Sequence, residues 1–249
     1  MGPSPDRAPT LVLLHEGLGC VAMWKDLPER LVRATGWGVL AYSRAGYGAS
    51  DPVELPRPLS YMHDEGRVVL PEVLDAAGVR EAVLLGHSDG ASIAVVHMGA
   101  VRDPRVRGGV LLAPHVFTER CTVESIRAAR VAFEEGDLRP RLARYHEHVD
   151  VAFRGWNGAW LDPGFLEWSL EEHLPGIRAP LLVIQGAEDE YGTLAQVDAL
   201  RSGSAGPVET LVLEACGHAP HLDRTRAVVA AVARFVGGEG PTADGSPSA

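Results

Sequence analysis

Hydrophobic positions gather into short, dense runs separated by longer stretches of mixed pattern. The runs are residues 10–15 (TLVLLH), 39–43 (VLAYS), 82–87 (AVLLGH), 110–113, 181–185 (LLVIQ) and 209–213. A brief, uninterrupted apolar run fits a strand covered on both faces, as parallel strands are. Between the runs the period changes to that of a helix. Residues 24–35 place Leu27, Leu31 and Val32 on one face. Residues 61–77 form a long amphipathic pattern with Pro71 set to kink it, and residues 223–236 close the chain. Strands alternating with helices predict an α/β fold whose sheet is mostly parallel, with helices on both faces.

One stretch breaks the alternation. Residues 116–179 hold no convincing strand, only helical patterns at 123–135 and 138–152 and three tryptophans, Trp156, Trp160 and Trp168. A crossover between parallel strands needs roughly a dozen residues. The excess predicts an inserted helical cap over the strand ends, on a core made of residues 10–115 and 180–236. Residues 1–9 and 237–249, rich in Pro, Gly and polar residues, are expected to be flexible tails.

The run at 82–87 leads into Gly86-His87-Ser88-Asp89-Gly90, and a helix-compatible run leaves it. This is the G-x-S-x-G pattern between strand and helix, a turn sharp enough to strain its central residue. It would lift Ser88 Oγ clear at the strand's end, over backbone N–H groups able to face an oxyanion. A serine nucleophile needs a base, and the base needs an acid to orient it. His218 lies just beyond the last strand run. Asp189 lies just beyond the one before, at Gly-x-x-Asp spacing from Gly186, with Glu188 and Glu190 as competitors. The oxyanion donors are expected to be the N–H groups of Asp89 and Gly17, with Leu18 the second choice to Gly17.

On these residues the chain resembles the α/β-hydrolase family, in its branch of small capped serine esterases and carbon–carbon bond hydrolases. The likeness covers nearly all of residues 10–236. It rests on His15 to Gly19 with Trp24, on Ser43-Arg44-Ala45-Gly46-Tyr47-Gly48-Ala49-Ser50, on the elbow, on Gly186 to Asp189 and on Gly217-His218. It implies acyl-enzyme chemistry by Ser88, with His218 as base and Asp189 as its partner.

Three departures matter. Glu16 stands where the family usually has Gly, and Asp89 where it usually has an apolar or amide residue. Either carboxylate is expected to shape the pocket through hydrogen bonds or to face away. Only about nine residues precede the first run, where the family has two further strands. A shortened sheet of six strands, ordered 4-3-5-6-7-8 in the family's scheme, follows. Its edge at 39–43 would be exposed or covered by a partner.

The remaining polar residues add less. His115 is a candidate substrate contact, as are Glu16, Leu18, Trp156 and Trp160. His87 should point away from the chemistry, and Ser92 should be an ordinary helix residue. Arg44 should tie the glycine-rich loop to neighbouring carbonyls. His146, Glu147 and His148 should lie on a solvated helix, since i and i+2 face apart. His218 and His221 lack a third ligand, so neither a metal nor another cofactor is expected.

Composition narrows the partners. The formal net charge of −10 argues against nucleic acid and against anionic lipid. No apolar run approaches the roughly 20 residues of a membrane span. Cys20, Cys121 and Cys216 are odd in number and far apart, which suits a reducing, cytoplasmic setting. The expected activity is hydrolysis of a small or medium ester or thioester, by a monomer or homodimer. Alternatives are carbon–carbon bond hydrolysis of a diketone-like compound, a biosynthetic cyclase reusing the triad, and a non-catalytic binding module.

Overall fold

The computed structural model describes residues 1–238. Six strands form one sheet: β1 Thr10–Leu14, β2 Gly38–Ala41, β3 Ala82–His87, β4 Val106–Leu112, β5 Leu181–Gly186 and β6 Val208–Leu213. Their order is β2-β1-β3-β4-β5-β6, and every neighbouring pair is parallel. This is the shortened order expected from the sequence.

The apolar runs divide by parity between two layers. Leu11, Leu13, Val83, Leu85, Val110 and Ile184 meet Leu27 and Leu31 of helix Leu27–Thr35 and Val228 and Val232 of helix Thr225–Gly237. Val12, Leu14, Leu84, Leu111 and Val183 face the other way, onto Met62, Leu70, Ile93 and Val96. A strand buried on both faces loses little polar contrast if it slips by one residue. Close backbone contacts help to fix its place instead. A Cβ on Gly90 would overlap the Leu14 carbonyl, so only glycine lets the elbow helix Asp89–Val96 approach β1 so closely.

Several elements differ from the sequence pattern for identifiable reasons. β4 starts at Val106, four residues early, because Gly108 and Gly109 carry no side chain to mark the strand. A Cβ at Gly109 would lie 2.8 Å from Met98 Sδ and 2.9 Å from Leu181 Cδ2, so those side-chain ends would have to move aside. The 61–77 helix runs as Tyr61–Asp64, a π-helical turn Glu65–Val69, then Leu70–Ala76. Pro71 has no N–H to give the preceding turn, and the widened turn sits just ahead of it. The edge strand β2 is not bare at Val39. Met1 exchanges two backbone hydrogen bonds with it, at 2.8 and 2.9 Å. The start of the N-terminal segment is therefore tied down where a loose tail was expected.

Between β4 and β5 the chain leaves the sheet. Helices Arg120–Glu134, Leu138–Leu142 and Val149–Trp160 and two short 3-10 turns fill this insertion. A single antiparallel bridge, Phe117 to Ser169, joins its two ends. The helix expected over 138–152 is broken, and residues 143–148 form a turn. Residues 237–238 end the last helix, and the rest of the expected C-terminal tail lies outside the described residues. Among the described residues no helix is long and apolar enough to cross a membrane.

Candidate active site

β3 delivers the chain into a turn at which Ser88 adopts φ 52° and ψ −119°. A non-glycine residue in that region costs about 1–3 kcal/mol. The surroundings impose it: Ser88 N–H donates to the Leu112 carbonyl at 2.9 Å, and the Ser88 carbonyl accepts from Ala91 and Ser92 N–H. Gly86 permits the turn, because a Cβ there would lie 2.5 Å from Ala91 N.

The loops after β5 and β6 complete the arrangement. His218 Nε2 lies 3.0 Å from Ser88 Oγ, and His218 Nδ1 lies 2.9 Å from both oxygens of Asp189. Glu188 and Glu190, the competitors, do not make this contact. Asp189 also accepts from Tyr191 N–H at 2.8 Å, Gly192 N–H at 3.2 Å and Gln185 Nε2 at 2.7 Å. Burial pushes its carboxyl up. His218 and the N–H donors outweigh that, leaving it below the usual carboxylate range. These donors fix the carboxylate, which fixes His218. Thr122 and Ser125 of the insertion donate to the carbonyls of Tyr191 and Glu190, pinning the Asp189 loop from the other side.

The loop after β1 supplies the remaining wall. His15 Nδ1 donates to the Glu16 carbonyl at 2.8 Å, and its Nε2 accepts from Arg44 N–H at 3.1 Å. Arg44, buried, donates to the carbonyls of His15 and Glu16, the tie expected of it. Gly17 is held bare: a Cβ would overlap Trp156 and lie 3.1 Å from Asp89 Oδ2. The N–H groups of Gly17 and Asp89 donate to no acceptor among the described residues, which leaves both free beside Ser88.

A family model described as "Alpha/beta hydrolase family" matches residues 11–232. The chain belongs to the alpha/beta hydrolase family. The protein named "Putative carbamate hydrolase RutD" of Stutzerimonas stutzeri is 28% identical over 206 residues, spanning 74% of this chain and 75% of its own length. An enol-lactonase from Burkholderia xenovorans superposes with a TM-score of 0.73 at 21% identity, over 95% of this chain and 94% of its own. A serine hydrolase from Cycloclasticus zankles gives 0.74 at 19% identity, over 97% and 94%. At such identities the two structures speak for the fold alone.

Within this hydrolase fold, twelve residues, Ser88 among them, line a cavity of about 110 Å³. They include Glu16, Gly17, Leu18, Asp89, His115, Trp156, Trp160 and His218, which covers nearly every candidate from the sequence. Ile126, Thr122 and Tyr191 also line it, unannounced by any motif. Trp156 and Trp160 stand four residues apart on helix Val149–Trp160, one turn apart on one face.

Asp89 is fully buried. Its Oδ2 accepts from Tyr61 Oη–H at 2.5 Å and its Oδ1 from Trp160 Nε1–H at 3.2 Å. Burial pushes the carboxyl up, against the pull of Arg44, the two donors and Arg57. Its carboxylate thus builds the wall of the cavity by hydrogen bonds, one of the two roles open to it.

Two minor expectations need correction. His146 is buried, not solvated: its Nδ1 accepts from Gly48 N–H and its Nε2 donates to the Leu18 carbonyl, both at 2.9 Å. That inward strut breaks the helix at this point. Ser92 does more than occupy a helix, since its Oγ donates to the His115 carbonyl at 2.6 Å. A group of side chains carrying potential metal ligands also lies away from this site. His63, Glu172 and His173 bring ligand atoms within 4.8 Å of one another, but Arg67 sets a positive charge beside both imidazoles and opposes a cation there.

Proposed function

We propose that the protein is a serine hydrolase that cleaves a small or medium carboxylic ester, or thioester, through an acyl-enzyme, with residues 116–179 as the cap that shapes its pocket. The observation that carries this reading is the placement of His218 between Ser88 Oγ at 3.0 Å and the Asp189 carboxylate at 2.9 Å. His218 takes the proton of Ser88 as its oxygen attacks the substrate carbonyl, and the Gly17 and Asp89 N–H groups receive the developing oxyanion. His218 then passes the proton to the leaving alkoxide or thiolate, and the acyl group remains on Ser88. Water, deprotonated by His218, releases the acid and restores the serine. Asp189 keeps Nδ1 protonated and steadies the imidazolium.

The cavity argues for a small, uncharged acyl group. Leu18, Ile126, Trp156 and Trp160 supply apolar walls, and the buried carboxylate of Asp89 disfavours an anionic substrate. The relative named for carbamates adds that group to the substrates worth assaying. Turnover of a p-nitrophenyl ester series and of a p-nitrophenyl carbamate tests the reading. Ser88→Ala is expected to lower turnover by about 10⁴-fold or more with the fold intact. Undiminished turnover in that variant would remove Ser88 from the chemistry. Tight ligand binding without turnover in the wild type would favour a binding module.

A further inference from the structure

Glu16 stands where the alpha/beta hydrolase loop usually carries glycine, and the serine chemistry leaves its carboxylate unused. That carboxylate folds back over Gly19, where a Cβ would overlap Oε2. Its Oε2 comes 3.4 Å from His87 Nδ1, and the His87 side chain is 4% exposed. On the other side of the ring, His87 Nε2 lies 2.7 Å from the main-chain carbonyl of His218. A carbonyl only accepts, so Nε2 carries a proton. Nδ1 makes no hydrogen bond among the described residues, but the Glu16 carboxylate oxygen facing it at 3.4 Å favours a second proton there, held as an ion pair.

We propose that Glu16 and His87 are a positioning pair for His218. Glu16 holds His87 as an imidazolium, and His87 donates to the His218 carbonyl. The inference rests on the serine-hydrolase reading of the site. His218 is then gripped twice from one turn of chain. Ser88 meets its ring, and the adjacent His87 meets its backbone. The charge state of the neighbours agrees. Burial pushes His87 down, but Glu16 and the His218 carbonyl outweigh it and leave its proton affinity raised. Burial also pushes Glu16 up, and His87, His15 and His221 overcome this to hold it well below the carboxylate range. His221, its ring 4.7 Å from His87, is pushed down to about 3 by burial, and so is His115, 5.4 Å from His218. Asp189 is the other charged group near the pair. Among these rings the cation therefore resides on His87, 5.2 Å from the His218 ring.

The test compares kcat and KM for wild type, Glu16→Gln, His87→Gln and the double variant. Each single change should lower kcat by on the order of threefold to tenfold with KM within about twofold. The double variant should be no worse than the poorer single one. An unchanged kcat in Glu16→Gln, or single losses that multiply in the double, overturns the pair. A readout free of activity is the NMR titration of the His87 ring in Ser88→Ala. With Glu16 present the ring should stay protonated above the ordinary histidine value of 6.5, and once Glu16→Gln is added it should not. Deprotonation below that value despite Glu16 also overturns the inference. Full turnover by Ser88→Ala would strike the serine reading alone, since the titration reports on the pair regardless.

Discussion

At the scale of residues, the carboxylate next to Ser88 is the feature most in need of a physical account. A buried charge is stable only when its hydrogen-bonding capacity is met and opposite charge is near. Asp89 meets both conditions through Tyr61, Trp160, Arg44 and Arg57. Removing one donor should therefore be costly. Tyr61→Phe, which deletes only the hydroxyl, should destabilise the fold by about 1–3 kcal/mol, read as a lower midpoint in urea unfolding. An unchanged midpoint would mean that Asp89 is already neutral or solvated. That Asp89 and Glu16 were out of place for the family was legible in the chain, and so was the order Ser88, Asp189, His218, because each follows a strand run. What pairs with the two carboxylates was not legible. Tyr61 lies 28 residues from Asp89 and Trp160 lies 71, and no local spacing announces contacts made only by folding. Gln185 was similarly hidden, as the last letter of an apolar strand.

At the scale of elements, the parallel strands read cleanly because burial on both faces demands unbroken apolar runs. Glycines obscured the start of β4, and the insertion was legible as a helical region but not in its breaks. The interruption at 143–148 depends on His146 reaching Gly48 and Leu18, about a hundred residues away in the chain or more. Helix Val149–Trp160 nonetheless has a clear consequence. It lays Trp156 against Gly17 and Trp160 against Asp89, so one helix face sets the depth of the cavity. Trp156→Ala deletes an indole from that wall without touching Ser88, Asp189 or His218. It should shift the preference for acyl length toward longer chains, by roughly 10-fold or more in the ratio of kcat/KM for octanoyl over acetyl esters. It should also lower stability by about 3 kcal/mol. A ratio unchanged from wild type would place the acyl group elsewhere.

At the scale of the whole molecule, the chain folds around an unusual number of buried neutral imidazoles. Burial lowers the proton affinity of His15, His97, His115, His146, His173 and His221, and for His115 and His221 the value falls to about 3. An unfolded chain takes up protons at these positions near 6.5, while the folded chain refuses them, so acid favours unfolding. His115 and His221 then each remove about 1.4 kcal/mol of stability per pH unit between roughly 6.5 and 3. His87 runs the other way: its raised affinity adds stability below 6.5 that is lost as pH rises. The carboxyl of Asp89 also works against the trend, because its raised affinity favours the folded state as acid is added. Asp189 and Glu16, held low, begin to lose their contribution as pH falls through the ordinary carboxylate range, in the lower part of the histidine window. Partial neutralisation of the formal −10 charge relieves self-repulsion, but at ordinary salt that effect is screened over about 10 Å. The histidines should prevail. A domain of ordinary stability holds about 5–15 kcal/mol, and two pH units on His115 and His221 alone consume about 5. Urea midpoints should be level near neutrality and fall steeply between pH 6.5 and pH 4.5, and His115→Gln should flatten that slope. Midpoints constant across the window would show that His115 and His221 accept protons in the folded state.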